Sequence, residues 1–498
     1  MLGKWLSHKE YQEYVVSELS ELARLNPYAL LEYEKEISKL FILNLDLLKP
    51  VIATLYSVTG RPSNLQPEIF RSFILMISMG FTLDKWLAKL KNNFVLRILI
   101  GGNVPSLGSH YDFMNRIYKL DEKPRHKAKK RKPSKKIGKN KKLPNRRTGI
   151  VGRIVAGIFK GKKFNCKPET VLHKIFAEAC VKSSVDLGLI PRKVSVSGDG
   201  TCIESGASHF GVKTCKCSDF NCNCPRKFSD PNATWGWDSH NERWYYGYTG
   251  YFISTHCEMS LLINNELKTD FPLYLRLVDA RRHDSVSAVV SLAQTRELYP
   301  NLTFETFISD SASDNYPTYE LLNKFDINAV IALNSKNKGN FKNPPPIGVN
   351  QHGVPICPGG NLMVYYGFDR KDRCRIKWRC PRVLGKCSAC EACQNCSKSD
   401  YGRTVYTHPT WDLRQFTTIP RGTEQWKNKM KERTAAERVN NRILNDYGIE
   451  NSKARGKKHI SFLTTIAGFN VNLDAQLKFL TSKNLFDFTS LFNIQVVA

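Results

Sequence analysis

Three acidic residues stand out by their settings. Asp199 lies in ValSerValSerGlyAspGlyThr at 194–201, Asp310 directly follows PheGluThrPheIleSer, and Glu437 sits within ArgThrAlaAlaGluArgValAsnAsn at 433–441. Two aspartates ending strands and a glutamate on a later helix suit a two-metal site. Carboxylate oxygens bind hard divalent cations such as Mg²⁺ or Mn²⁺, and a pair of such ions activates an attacking oxygen and steadies a leaving one in phosphoryl transfer. On this reading Asp199, Asp310 and Glu437 are both the catalytic and the metal-binding residues, and the substrate is a nucleic-acid backbone. Each has an ordinary alternative: AspGly in a turn, Asp310 as a helix cap, Glu437 as a solvated helix residue. Asp314, one helical turn further on, competes with Asp310, which is preferred because it follows the strand without a gap. His283 and Asp284 are minor candidates for the site or for DNA; a turn with Asp284 or Ser285 as helix cap explains them equally well.

The charge of the chain points to the same substrate. Lys and Arg number 75 against 45 Asp and Glu, for a net charge of +30 and a pI near 9.5, which favours a polyanionic partner. Between 123 and 147 lie fourteen Lys or Arg, broken by Pro124, Pro133, Gly138 and Pro144 and without hydrophobic period. This reads as a basic linker in which Lys129, Lys130, Arg131 and Lys132 bind phosphates, weakening steeply with salt; a solvated spacer is the alternative. No apolar run reaches the roughly 18 residues needed to span a membrane, the best stretch, 69–81, being interrupted by Arg71. The N-terminus turns polar at once, without an apolar core or small-residue cleavage site. A cytoplasmic protein is expected, its fifteen cysteines largely reduced and more suited to metal ligation than to disulfides.

These residues need a scaffold, and the hydrophobic periods outline one. Over 9–120, Tyr11, Val15, Leu19 and Leu22, then Ile37 and Leu40, then Leu83, Leu87, Leu90, Phe94 and Ile98 recur at helical spacing, with Pro67 in a first turn. This predicts a helical N-terminal region, 1–120, for packing and assembly or for DNA binding, then a basic linker, 121–165. From 190 to 335 the pattern becomes strand at 194–196, 245–254 and 272–278, helix at 285–298, strand at 304–310, helix, and strand at 329–333. Three adjacent antiparallel strands followed by alternating helix and strand give an α/β fold with a mixed five-stranded sheet and flanking helices. Asp199 and Asp310 then fall at the ends of its first and fourth strands. A cysteine-rich insertion at 202–244 interrupts the unit, a second at 336–425 follows it, and 426–498 completes it with the glutamate helix.

With those residues in place the chain resembles the bacterial insertion-sequence transposases of the DDE type, over about 60–498. The likeness is carried by GluIlePheArgSerPheIleLeu at 68–75, AspGly at 199–200, HisAspSer at 283–285, AspSerAlaSerAspAsn at 310–315 and ArgThrAlaAlaGluArgValAsnAsnArg at 433–442. In the last, Arg433 and Glu437 match, while Met430 stands where the family has Tyr and Leu444 where it has a basic residue. The resemblance implies an RNase H-like catalytic domain, double-stranded DNA (element ends and target) as partner, a homodimer or larger assembly on DNA, and a nucleoid-associated setting. On a helix, Arg433, Glu437, Asn441 and Leu444 share one face while Val439 and Ile443 anchor another. Glu437 thus points at the aspartates, and Arg433 and Asn441 are candidate DNA contacts, Arg433 alternatively pairing with Glu437.

Two groups of cysteines suggest structural metal. Cys215, Cys217, Cys222 and Cys224, as Cys-x-Cys-x4-Cys-x-Cys, can wrap one tetrahedral Zn²⁺ and organise the first insertion; unligated thiols are the alternative. In the second, Cys357 and Cys374 precede Cys380, Cys387, Cys390, Cys393 and Cys396, and the last four approach a ferredoxin run but with x2 in place of x3 and Ser397 in place of Pro. Zinc is favoured over an iron–sulfur cluster, with the ligand set open. Bases interleaved with Trp378 make DNA contact by this insertion an expectation. The expected activity is cleavage at element ends and strand transfer by two-metal chemistry. A metal-dependent nuclease on the same fold and an inactive, zinc-stabilised DNA-binding relative are the alternatives.

Overall fold

A computed structural model describes residues 1–118, 149–163, 168–219, 221–260, 266–335, 345–369, 373–387, 390 and 396–494. The basic residues Lys129, Lys130, Arg131 and Lys132, and Cys393, lie outside them.

A mixed sheet forms the middle of the chain. Alternation of Val194 and Val196 starts β1 (Lys193–Glu204), which pairs antiparallel with β5 (Arg243–Ser260) from Val196↔Thr255 to Glu204↔Gly247. Beyond β5 lies β6 (Glu266–Asp279), antiparallel again. On the other side of β1 runs β7 (Thr303–Ser309), parallel to it, and then β8 (Asn328–Ile331), parallel to β7. A sixth strand, β4 (Thr234–Asp238), pairs with the first residues of β5, on the edge that β6 occupies further along. A miniature hairpin of β2 (Val212–Lys213) and β3 (Arg226–Lys227) precedes it.

The expectation that placed Asp199 at a strand end is corrected. Asp199 lies inside the twelve-residue β1, and the Asp199-Gly200 pair, read as a turn, continues the ladder opposite Phe252 and Tyr251. Pairing to β5 overrides the local turn propensity. The flanking glycines serve clearance: a Cβ on Gly198 would meet the Tyr251 hydroxyl at 2.5 Å, and one on Gly200 the Asp284 carboxylate at 2.5 Å.

Helices cover the sheet. In α1 (His8–Leu25), begun by a Ser7–Glu10 capping box, the buried stripe Tyr11, Val15, Leu19 and Ala23 repeats every fourth residue. Helices α2 (Glu34–Ile42), α3 (Gln66–Ser78, with Pro67 in its first turn) and α4 (Leu107–Ile117) follow. They share one hydrophobic core with the sheet. Between them runs the 26-residue α9 (Lys457–Ser482), buried around most of its circumference, and Lys39 of α2 ties to Asp474 of α9 at 2.7 Å. Two further helices flank the parallel strands: α5 (Asp284–Leu298) between β6 and β7, and α6 (Tyr316–Lys324) between β7 and β8. The site helix α8 (Thr434–Asn441) is preceded by α7 (Glu424–Lys431). Among the described residues, no helix is long and apolar enough to cross a membrane.

The second insertion builds a separate antiparallel sheet of β9 (Val364–Asp369), β10 (Arg375–Arg379) and β11 (Thr404–Thr407). Trp378, expected among the DNA contacts, is 1% exposed in a small core with Cys357, Ile376 and Phe416, and its Nε1 donates to the Thr407 hydroxyl at 2.9 Å. Strand alternation explains the correction: Ile376 and Trp378 face that core, which sends Lys377 and Arg379 to the opposite face beside Tyr366 and Tyr401.

Candidate active site

Parallel pairing of β1 with β7 sets Asp199 and Asp310 on neighbouring strands: Ser197 pairs with Ile308, two residues before each aspartate. Asp310 also accepts a hydrogen bond from the Ala312 amide at 3.1 Å, capping the short turn at Ser311–Ser313, so its capping role and its place beside Asp199 coexist. Asp284 begins α5, and its carboxylate occupies the space over Gly200. The cap of that helix is neither Asp284 nor Ser285 but His283, whose Nδ1 accepts from the Ser285 amide at 3.3 Å. Because Asp199 and Gly200 alternate along β1, the Asp284 carboxylate lies on the face of the strand opposite the Asp199 side chain.

Glu437 approaches from α8, which Ala435, Ala436 and Val439 hold against the sheet. Helix α7 docks first: Met430 and Trp426 pack on Ile308 and Val330, and Lys429 donates to the Ser195 hydroxyl at 3.1 Å and pairs with Glu432 at 2.8 Å. Met430 is therefore an apolar support for α8. Leu444, 8% exposed, is core as well, because the regular helix gives way to a wider π turn at Arg442–Asp446.

Burial pushes the Asp199 carboxyl up to about 7; the Arg433 guanidinium opposes this, while Asp310, Asp284 and Glu437 push the same way. Burial, with Asp310 beside it, likewise raises Asp284 to about 6, against His283. Arg433 is ion-paired with Glu437. Asp310, Asp284 and Glu437 thus act on Asp199 at a distance, opposed by Arg433, while among the described residues no three of these acids bring carboxylate oxygens within 4.8 Å of one another. The residue that reaches Asp199 from α8 is Asn440, whose Nδ2 donates to Asp199 Oδ2 at 3.2 Å. Sequence reasoning chose Asn441, which is exposed and accepts from Asn445 at 2.6 Å. Both lie one turn from Glu437, and helical spacing alone does not choose between third and fourth neighbours. Tyr251, fully buried beneath the group, was also missed; its ring fills the space that Gly198 leaves open.

Asp314 has a different role. Its side chain is fully buried and receives Arg414 Nε at 2.8 Å, Arg414 Nη2 at 2.6 Å, the Tyr319 hydroxyl at 2.9 Å and the Asn334 amide at 2.8 Å. An open groove beside α8 is lined by Glu437 and Asn441 together with Lys268, Lys478 and two ion pairs, Arg438 with Asp270 and Arg442 with Asp474.

Cys215, Cys217, Cys222 and Cys224 lie at the β2–β3 hairpin, their sulfurs all within 4.8 Å of one another. This four-cysteine group could hold a metal ion, and four thiolates in a tight loop fit tetrahedral zinc. Among the described residues the second cysteine group forms no such cluster: Cys357 is core, and Cys380, Cys387, Cys390 and Cys396 are not drawn together in that way.

Residues 356–473 match the family model of the transposase DDE domain. The match supports a DDE-type transposase. It takes in most of the second insertion, Glu437, Asn440 and most of α9; Asp199 and Asp310 lie before it. For the transposase reading the match is therefore independent of the carboxylates on β1 and after β7. No curated protein matches the chain.

Proposed function

We propose that this transposase cleaves DNA at the ends of a mobile element and joins strands to target DNA, with Asp199, Asp310 and Glu437 as metal-binding catalytic residues. The observation that carries the reading is the parallel pairing of β1 with β7, which brings Asp199 and Asp310 to neighbouring places, with Asn440 of the Glu437 helix reaching Asp199. Three antiparallel strands extended by two parallel ones support an RNase H-like sheet, with β4 as an addition. The carboxylates would hold two Mg²⁺ or Mn²⁺ ions, which supply an activated attacking oxygen and a neutralised leaving oxygen.

The chain's own residues do the positioning. Asp199 and Asp310 are fixed on paired strands, and Asn440 orients one Asp199 oxygen by its amide. Arg433 is placed to exchange Glu437 for a phosphate, a trade that costs little because exposed pairs are worth only about 0.3–0.5 kcal/mol. Lys268 and Lys478 in the groove beside Glu437 offer phosphate contacts for the DNA backbone, and Lys129, Lys130, Arg131 and Lys132 add more in the same reading. Structural Zn²⁺ on Cys215, Cys217, Cys222 and Cys224 would lock the first insertion. Holding two element ends calls for a dimer or larger assembly.

The test is strand joining. A duplex ending in the DNA that flanks the gene, with its 3′-hydroxyl exposed, is incubated with plasmid and Mg²⁺ or Mn²⁺. Joined products are expected, and Asp199→Asn should lower them about a thousandfold, since losing metal-based charge stabilisation costs several kcal/mol. Hydrolysis without joining would favour a plain nuclease. Binding with neither product would favour the inactive DNA-binding relative.

A further inference from the structure

We propose that an exposed aromatic row at the edge of the sheet is a stacking platform for unpaired DNA bases; the proposal rests on the transposase reading for its substrate. On β4, Trp235 and Trp237 stand on one face while Gly236 between them turns inward against Tyr245. Across the ladder they meet Tyr246 and Trp244, with ring centroids 5.6 and 5.3 Å apart. His209 extends the row at 4.8 Å from Trp235, and Phe210 lies 3.8 Å from His209. Trp235, Trp237, Trp244 and Phe210 are 44%, 51%, 65% and 73% exposed. A contiguous apolar patch of this kind on a polar chain marks a contact surface.

Register ties the row to the carboxylates. Directly paired residues point to the same face, and so do alternate residues along a strand. Asp199 pairs with Phe252, Ile203 with Tyr248, and Tyr246 with Trp235, so the tryptophans share the Asp199 face. Six residues of β5 separate the Asp199 pair from the Trp235 pair, about 20 Å at strand rise, or roughly six stacked nucleotides at 3.4 Å each. A strand leaving the site is long enough to reach the row.

The chemistry selects bases as the occupant. Indole and phenol rings offer π faces, on which any base stacks and which a paired duplex cannot engage. The charge beside the row is mixed, since Arg243 pairs with Glu204 at 2.8 Å and Asp238 at 3.8 Å and Glu242 is exposed, so stacking carries the binding. Exposed Lys227 is paired with Val212, two residues from Phe210, and exposed Lys216 lies in the cysteine loop.

The test uses the full chain carrying Asp199→Asn, without added divalent ions, so that binding is read without cleavage. A short fluorescent oligothymidylate is titrated against a duplex of equal length. Single-strand binding is expected to quench tryptophan emission. Replacing Trp235, Trp237 or Trp244 by Ala should weaken it about tenfold each, with duplex affinity unchanged, and Trp→Tyr at the same positions should restore most of it. Unchanged single-strand affinity in the Ala variants would overturn the proposal, as would equal losses for both probes. So would a dimer that the Ala variants turn into monomers, which would make the row an interface between copies. Failure of the transposase reading appears separately, as absence of strand joining by the unaltered protein.

Discussion

Asp310 and Asp314 are four residues apart in the chain and belong to opposite kinds of acidic region. Around Asp314 every lone pair is answered from within: Arg414 takes both carboxylate oxygens, Tyr319 and the Asn334 amide complete the set, and Arg421 backs the network through the Tyr319 hydroxyl at 2.7 Å. Around Asp199 no cation is committed in this way: Asp310, Asp284 and Glu437 raise its carboxyl while Arg433, which lowers it, is engaged by Glu437. A buried acid that carries its own cation is structural, whereas acids that crowd without one need a cation from outside. Charge balance therefore separates two aspartates that sequence order alone leaves as rivals.

Removing a partner should break the balanced region most severely. Asp314→Ala leaves Arg414 buried and uncompensated, and a loss of about 3–5 kcal/mol is expected in urea unfolding. A loss below about 1 kcal/mol, the range of a surface pair, would erase the distinction. The unbalanced region should respond to cations instead. Mg²⁺ or Mn²⁺ at a hundred times its dissociation constant should stabilise the unaltered protein by about 2.7 kcal/mol. Thermal melts should show that gain shrink in Asp199→Asn; an equal gain in both proteins would place the ions elsewhere.

The unbalanced region should also show a pH dependence. The folded Asp199 carboxyl titrates near 7 against 3.8 as its ordinary value. Between those values the unfolded chain has released a proton that the folded chain keeps, so raising the pH favours unfolding. Without divalent ions, the unaltered protein should lose stability relative to Asp199→Asn as pH rises from about 4 to about 7 and hold a constant difference above that. Parallel melting curves for the two proteins across this range would contradict the crowding of charge.

Much of the scaffold was legible because it repeats. Periods of Tyr11, Val15 and Leu19, and alternation in β1 and β6, report burial on one face and need no knowledge of distant contacts. The five strands expected are all present, but β4 was missed, since it lies in the insertion at 202–244 and gains its ladder only from the first residues of β5. The Asp199-Gly200 step misled for the same reason: turn chemistry is local, and the pairing that overrides it lies some fifty residues away. Asn440 became a neighbour of Asp199 only in three dimensions, through the particular rotation of α8. The cysteine loop is the converse case, with all four thiols within ten residues, so that spacing alone gathers them.

Manganese binding followed by electron paramagnetic resonance reads the central claim most directly, since bound Mn²⁺ loses the sharp signal of the free ion. Titration of the unaltered protein should reveal two bound ions per chain, reduced in Asp199→Asn, Asp310→Asn and Glu437→Gln and unchanged in Trp237→Ala. Equal binding by all four variants would contradict the account, for Asp199, Asp310 and Glu437 would then hold no metal.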